Sequence, residues 1–307
     1  MSKDVAKIEI SKKEQEKYKK EFQALTIQND FMFCKVMQDE EICSKVLKIL
    51  LKDYFEIGAV KIVTSQATIE NHPEWKTVRL DVLALDEAGN SYDVEMQVVN
   101  RRNIEKRMRA YQAAIDMNKM QKGMDYNELT NTIIIFITPF DPIGEGLPVY
   151  FFELCCREKE SIKINDGAYR VIFNTKASEE VKDDKLRELL KFFDTGKATK
   201  GVAKEMEMKV KAVKKDSLMF EDFFSMCTSL VDARNDGKKE GWLQGREEGI
   251  AEGIEKGIEK GIEKGIEKGM EKGSYKAKLE TAKRAQAMGL PIETIKEITG
   301  LSDAEIL

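Results

Sequence analysis

Two facing carboxylates on one expected hairpin constrain this chain more than any other feature of its sequence. Residues 79–100 read RLDVLALDEAGNSYDVEMQVVN. Runs rich in Val and Leu at 79–85 and 91–99 flank the turn-forming residues 86–90, DEAGN, which predicts two strands around a turn. Side chains alternate faces along a strand, so Asp93, Glu95 and Gln97 share one side while Val94, Met96 and Val98 share the other. A hairpin symmetric about Ala88 sets Asp81 directly opposite Glu95. Like charges facing each other on paired strands destabilise a sheet unless something offsets them. A divalent cation does so, because Mg²⁺ takes hard oxygen ligands from one or two carboxylates and keeps several waters. The other reading is a solvated sheet face on which the acids are simply tolerated.

The pattern D-x13-E-x-Q, on a hairpin followed by a basic helix, resembles the core of the PD-(D/E)XK nucleases. Within that superfamily the chain looks most like the Rpn family of recombination-promoting nucleases and transposases, over about residues 28–230. NDFMFCKVM (29–37) resembles that family's N-terminal signature, and RLDVLALDEAGNSYDVEMQ (79–97) its active-site hairpin. RMRAYQAAIDMNKMQKGMDYNELTNTIIIFITPF (107–140) resembles the helix, turn and strand that follow. The resemblance implies an α/β fold with a restriction-endonuclease-like mixed sheet flanked by helices. It also implies a Mg²⁺ site built from Asp81, Glu95 and the backbone carbonyl of Met96, and cleavage of DNA linked to recombination or mobile elements. Gln97 stands where the superfamily usually has lysine, as it commonly does in this family. A glutamine cannot take a proton at neutral pH, so Gln97 is expected to orient the attacking water rather than act as its base. Asp30, inside the N-terminal signature, is a weaker candidate for a further acidic role.

Residues 101–122 read as a helix and offer the best surface for holding DNA. Arg102, Lys106 and Arg109 follow i, i+4, i+7 spacing, which sets them on one helical face, with Arg101 and Arg107 nearby. Guanidinium groups suit bidentate contact with phosphate oxygens. Most such runs are only solvated helix faces; position just past the acids favours the functional reading. Tyr111 and Gln112 occupy a place where the family often has paired tyrosines, and only the first aromatic ring is kept.

Composition narrows the alternatives. The 307 residues are 42% hydrophobic, enough to bury a substantial core, and 35% charged. A net charge of −4 means that any DNA contact must come from a local basic patch. Cys34, Cys43, Cys155, Cys156 and Cys227 form no C-x-x-C pattern and read as reduced, mostly buried residues of a cytoplasmic protein. The N-terminal stretch lacks a hydrophobic signal region, and no apolar run approaches membrane-spanning length. His72, the one histidine, sits in the polar stretch NHPEW and reads as a surface residue. With it alone, zinc catalysis and a Ser-His-Asp triad are excluded. No phosphate-binding glycine motif is present, so no nucleotide cofactor is expected.

The expected order is a charged lead-in at 1–28, a nuclease-like domain at 29–234, a repeat at 235–273 and a small helical module at 274–307. Within the domain, core helices at 29–57 and strands at 60–70, 79–85, 91–99, 131–138, 147–154 and 168–174 are expected, with helices at 180–194 and 200–234. From Gly237 to Gly273 glycine recurs at every fourth position, ten times, with Ile-Glu-Lys filling much of the run. Ten glycines cost an isolated helix roughly 10 kcal/mol relative to alanine, so the run is either a linker or a helix conditional on self-association. The module after it reads as helix, turn, helix, with Pro291 starting a helix that Gly300 ends and Ser302 capping a short third piece. Its last helix is too short and acidic to read a DNA groove and fits protein contact better.

The whole reads as a Mg²⁺-dependent DNA endonuclease that forms a homo-oligomer through its tail. The competing reading is a catalytically weak nuclease-fold module binding DNA or protein through that tail; retention of both Asp81 and Glu95 argues against it.

Overall fold

The computed structural model describes residues 12–69 and 78–306; His72 lies outside the described residues. Contacts divide the chain into two units, 1–227 and 228–307.

In the first unit, helices α1 (Lys12–Ala24), α2 (Asp30–Met37) and α3 (Glu40–Leu50) precede strands β1 (Val60–Ile69), β2 (Val78–Asp86) and β3 (Ser91–Met96). Helix α4 (Ile104–Lys119) leads to β4 (Thr132–Thr138), then to β5 (Val149–Phe152), β6 (Cys155–Cys156), β7 (Lys159–Lys163) and β8 (Ala168–Asn174). Helices α5 (Asp184–Thr195) and α6 (Gly201–Lys215) follow. Six strands form a mixed sheet in the order β1-β2-β3-β4-β8-β5, so the expected α/β architecture is present. The β1-β2-β3 part is antiparallel, β3-β4-β8 is parallel, and β5 returns antiparallel at the edge.

β4 reads TIIIFIT and is buried along its whole length. Ile133, Ile135 and Ile137 join a core with α2, α3, α5 and α6, while Ile134 and Phe136 meet Met108 and Ile115 of α4 on the other face. Each fully buried side chain of this size contributes about 1.5–3 kcal/mol, so the central strand anchors both layers. The turn between β2 and β3 is fixed by one residue. The Asp86 carboxylate accepts the Ala88 and Asn90 backbone N–H groups and the Tyr92 hydroxyl, at 2.8–2.9 Å, while Gly89 takes the left-handed φ of +82°. The resulting register pairs Leu85 with Ser91 and Val82 with Val94, symmetric about Ala88.

Several boundaries differ from expectation. β3 stops at Met96 rather than 99, because the chain leaves the ladder where the Gln97 side chain turns to α4 and the Val99 carbonyl. Arg102 has φ +53° in the loop before α4, where its N–H donates to the Asn100 side chain, and the helix starts only at Ile104. The expected helical face of Arg102, Lys106 and Arg109 therefore retains only Lys106 and Arg109. Extended Asp216, which caps Leu218, splits the expected helix at 200–234. The β6–β7 hairpin has no place in the expected order; its short, mostly exposed strands carry no alternating pattern. Cys34 and Cys43 are buried as expected, but Cys155 is exposed and Cys156 and Cys227 are only partly covered.

In the second unit the glycine repeat is helical, inside α7 (Ser217–Ala287). A Cβ added at any of its ten glycines would meet nothing within 4 Å, and Ile254, Ile258, Ile262 and Ile266 are 58–59% exposed. Helices α8 (Ile292–Thr299) and α9 (Asp303–Ile306) fold back so that Ala282, Ala285, Ile295, Leu301 and Ile306 form a small separate core. Gly289 and Gly300 adopt the positive φ that each sharp reversal requires.

Candidate active site

The register that Asp86 fixes brings Asp81 and Glu95 together at the open end of the hairpin. Backbone pairing of β2 with β3 ends at Val82 and Val94. Beyond it the strands are tied through the two acids. The Asp81 N–H donates to Glu95 Oε1 at 2.8 Å, and the Met96 N–H donates to Asp81 Oδ2 at 3.2 Å. Each acid thus replaces a ladder bond with a carboxylate contact, which fixes both side chains in place.

This face is buried, contrary to the solvated-face reading of the acids. Glu95 is 2% exposed and Asp93 is fully buried. Burial raises the Asp81 carboxyl to about 6, helped by the charge of Asp30 and opposed by the Met96 N–H and by Arg107 and Arg79. Burial likewise lifts Glu95 well above the usual carboxylate range, with Asp93 and Asp81 adding like-charge repulsion. Asp93 is also raised, first by burial and then by Asp81. Neither Asp93 oxygen meets a donor among the described residues; the side chain that reaches it is the Glu95 carboxyl, and two carboxyl groups bond only when one carries a proton.

Arg107 supplies the one cation in contact with this cluster among the described residues. Its Nη2 lies 3.1 Å from Glu95 Oε2, its Nη1 donates to Gln97 Oε1, and Nε and Nη2 both donate to the Tyr111 hydroxyl at 3.1 and 2.7 Å. The guanidinium sits over the Phe136 and Tyr111 rings, 5.1 and 5.2 Å from their centroids. Gln97 is held at its other end by donation from Nε2 to the Val99 carbonyl at 2.6 Å. In the sequence Arg107 is only one basic residue among several. The signal that marks it is its i, i+4 relation to Tyr111, which sets both on the α4 face that covers the sheet.

A cleft of about 700 Å³ opens over the acids. Asp30, Asp81, Glu95, Met96, Gln97 and Tyr111 line it together with Arg79, Arg101, Lys106 and Arg107. Asp30 is thus brought to the cleft, at the start of a helix that Asn29 caps. Arg102 and Arg109 do not line it. Among the described residues no group of three or more His, Cys, Asp and Glu side chains is arranged to hold a metal ion. A cation such as Mg²⁺ needs only one or two carboxylates, however, and the donor set suits it: two hard-oxygen groups, Glu95 buried and Asp81 half-buried, with raised pKa values beside one arginine.

A mixed sheet whose antiparallel hairpin delivers a buried Glu95 and a half-buried Asp81 to a cleft, followed by a helix and a parallel central strand, is an α/β arrangement consistent with the PD-(D/E)XK nuclease fold. Residues 27–145 match the family model of the PD-(D/E)XK nuclease family transposases. The matched segment runs from just before α2 to just past β4 and contains every residue that lines the cleft. No curated protein and no solved structure matches the chain. No helix of the described residues is long and apolar enough to cross a membrane.

Proposed function

We propose that the first unit is a Mg²⁺-dependent DNA endonuclease, with Asp81, Glu95 and the Met96 carbonyl as the metal ligands. The observation that carries this reading is the placement of two carboxylates, Glu95 held by the Asp81 N–H and Asp81 by the Met96 N–H, at the floor of a cleft with a basic rim. A bound divalent cation would lower the pKa of its water and neutralise charge on the scissile phosphate. Arg107 balances part of the carboxylate charge and holds the Gln97 amide still. Gln97, which has no basic atom, orients the attacking water. Lys106, Arg101 and Arg79 offer phosphate contacts along the rim, with Arg109 further along α4 and Arg102 in the adjoining loop. Tyr111 anchors the arginine from within the cleft. Asp30 contributes negative charge beside Asp81. The resemblance to the recombination-promoting Rpn nucleases supports a setting in DNA rearrangement, and the exposed isoleucines of the repeat support self-association through the tail.

Plasmid nicking by the purified full chain in Mg²⁺ and in EDTA tests the reading. Asp81→Ala and Glu95→Ala should each reduce Mg²⁺-dependent nicking by about three orders of magnitude, roughly 4 kcal/mol of barrier. Circular dichroism should show both variants folded. Full activity in either folded variant, or equal nicking by wild type in EDTA, sinks the assignment.

A further inference from the structure

We propose that the glycine repeat is a pairing surface for a second copy of the same chain, and that the two copies pair in parallel. The inference rests on the self-association just proposed and adds its orientation, which the order of residues around the helix determines. At 100° per residue, Gly, Ile, Glu and Lys of each repeat form four adjacent rows in that rotational order. The glycine row is a groove, since nothing lies within 4 Å of where its Cβ atoms would be, and the isoleucine row beside it is an exposed ridge. Lysines flank the groove, and glutamates flank the ridge.

A two-fold axis parallel to the helices sets the isoleucine ridge of each copy into the glycine groove of the other. It also sets the lysine row of each copy opposite the glutamate row of the other. A two-fold axis perpendicular to the helices does the reverse: like rows meet, so isoleucine faces isoleucine, glutamate faces glutamate and lysine faces lysine. Ridge-into-groove packing along i±4n rows gives crossing angles of about −50°, and small residues let the backbones approach closely.

Charge within one chain points the same way. Glu255, Glu259, Glu263 and Glu267 are like-charged neighbours at i, i+4, as are Lys256, Lys260, Lys264 and Lys268. Among the described residues only Lys256 of these lysines has an ion pair, with Glu252 at the irregular start of the repeat. A row of opposite sign from a parallel partner relieves both series at once, and an antiparallel partner aggravates both.

The test uses the full chain with Cys155, Cys156 and Cys227 replaced by serine, and one spin label at Gln244→Cys or at Ser274→Cys. These positions are separated by about 45 Å of helix. The labelled protein is first sized by light scattering, unlabelled wild type alongside. A dimer with short label-to-label distances, about 20 Å or less at both positions, is the expected result. A dimer with long distances at both positions, about 40 Å or more for antiparallel pairing, overturns the orientation and leaves self-association standing. Monomers of wild type at assay concentrations overturn both. Were the serine background alone monomeric, the label would be attached by azide–alkyne coupling to an unnatural amino acid at the same two positions of the otherwise wild-type chain. Short distances would again support parallel pairing, and long ones overturn it.

Discussion

The hairpin at 79–97 and the repeat at 237–273 are the two most conspicuous stretches of the sequence, and they are conspicuous for opposite reasons. In the hairpin the sequence does not repeat, and the side chains at its turn and at its open end have specific partners. Asp86 holds the turn, Glu95 accepts the Asp81 N–H and Asp81 the Met96 N–H, and Arg107 closes the cluster. In the repeat the same four residue types recur, and no glycine has a neighbour that would exclude a Cβ. Information in the first region is carried by individual residues within one chain. In the second it is carried by periodicity, which the second copy proposed above would read. Single substitutions should therefore be costly in the hairpin and its supporting helix, and mild in the repeat until a second copy is present.

Arg107→Ala is the sharpest way to separate the two regions short of removing the acids. It leaves Glu95 buried without its cation and unties Gln97 and Tyr111, so a loss of about 1–3 kcal/mol of stability is expected together with loss of nicking. Lysine should not rescue it, because a point charge cannot replace a fork that reaches Glu95, Gln97 and Tyr111 together. Thermal unfolding and plasmid nicking read both effects. An Arg107→Ala protein as stable and as active as wild type would show the hairpin to be no more specified than the repeat.

Stability against pH should set the hairpin apart by a more moderate margin. The Asp81 carboxyl rises from an ordinary 3.8 to about 6 on folding, chiefly through burial, so the folded state holds its proton more tightly than the unfolded one. The destabilisation is fully present above 6 and is relieved as pH falls from 6 toward 3.8. Asp39 and Asp183 run the other way: hydrogen bonds from Lys209 and Lys52 lower them, so their contribution is lost only in more acidic solution. Metal-free protein should thus gain Tm between pH 7 and 5. Asp81→Asn should raise Tm at pH 7 and flatten that rise, and added Mg²⁺ should flatten it by binding the charged form. Identical profiles for wild type and Asp81→Asn between pH 5 and 7 would show that the hairpin carries no such strain.

A smaller effect grades the basic residues. Lys106 lines the cleft and Arg109, also on α4, does not. Each phosphate contact contributes about one to the slope of log K against log salt. Lys106→Ala should lower that slope by about one in a DNA-binding titration across salt concentrations, with Arg109→Ala changing it less. Equal slopes for both variants and wild type would return the whole of α4 to an ordinary solvated face.

How much the sequence reveals follows from the same contrast. Strand alternation, the DEAGN turn and the continuous apolar run of β4 are local patterns, and they suffice for the sheet and for the meeting of Asp81 with Glu95. Arg107 does not stand out, because its sheet partners lie ten or more residues away, on β3 and β4, and only the packing of α4 on the sheet brings them together. Arg102 departs from its expected helix for a local reason: the Asn100 side chain captures its N–H and turns the backbone left-handed before the helix begins. The burial of Asp93 is invisible in the sequence because alternation gives its face and not how completely α4 and β4 cover it. The repeat is legible as a pattern, but ten glycines at a four-residue period give no sign by themselves of whether the run is a linker or the continuous helix that the structure has.

The smallest effect is also the most discriminating for the repeat. Gly261→Ala adds one methyl group where, in a single chain, nothing lies within 4 Å. Alanine in place of a helical glycine should then stabilise the helix by about 0.5–1 kcal/mol. If a second copy's isoleucine fills that groove, the same methyl group meets it, and the gain in helicity comes with weaker association. The expected outcome is therefore two shifts of opposite sign: more helix by circular dichroism at low concentration, and a higher dimer dissociation constant by analytical ultracentrifugation. A parallel gain in helicity and in association would mean that the glycine row faces solvent in the assembly, and that the periodicity serves only to keep the isoleucines aligned.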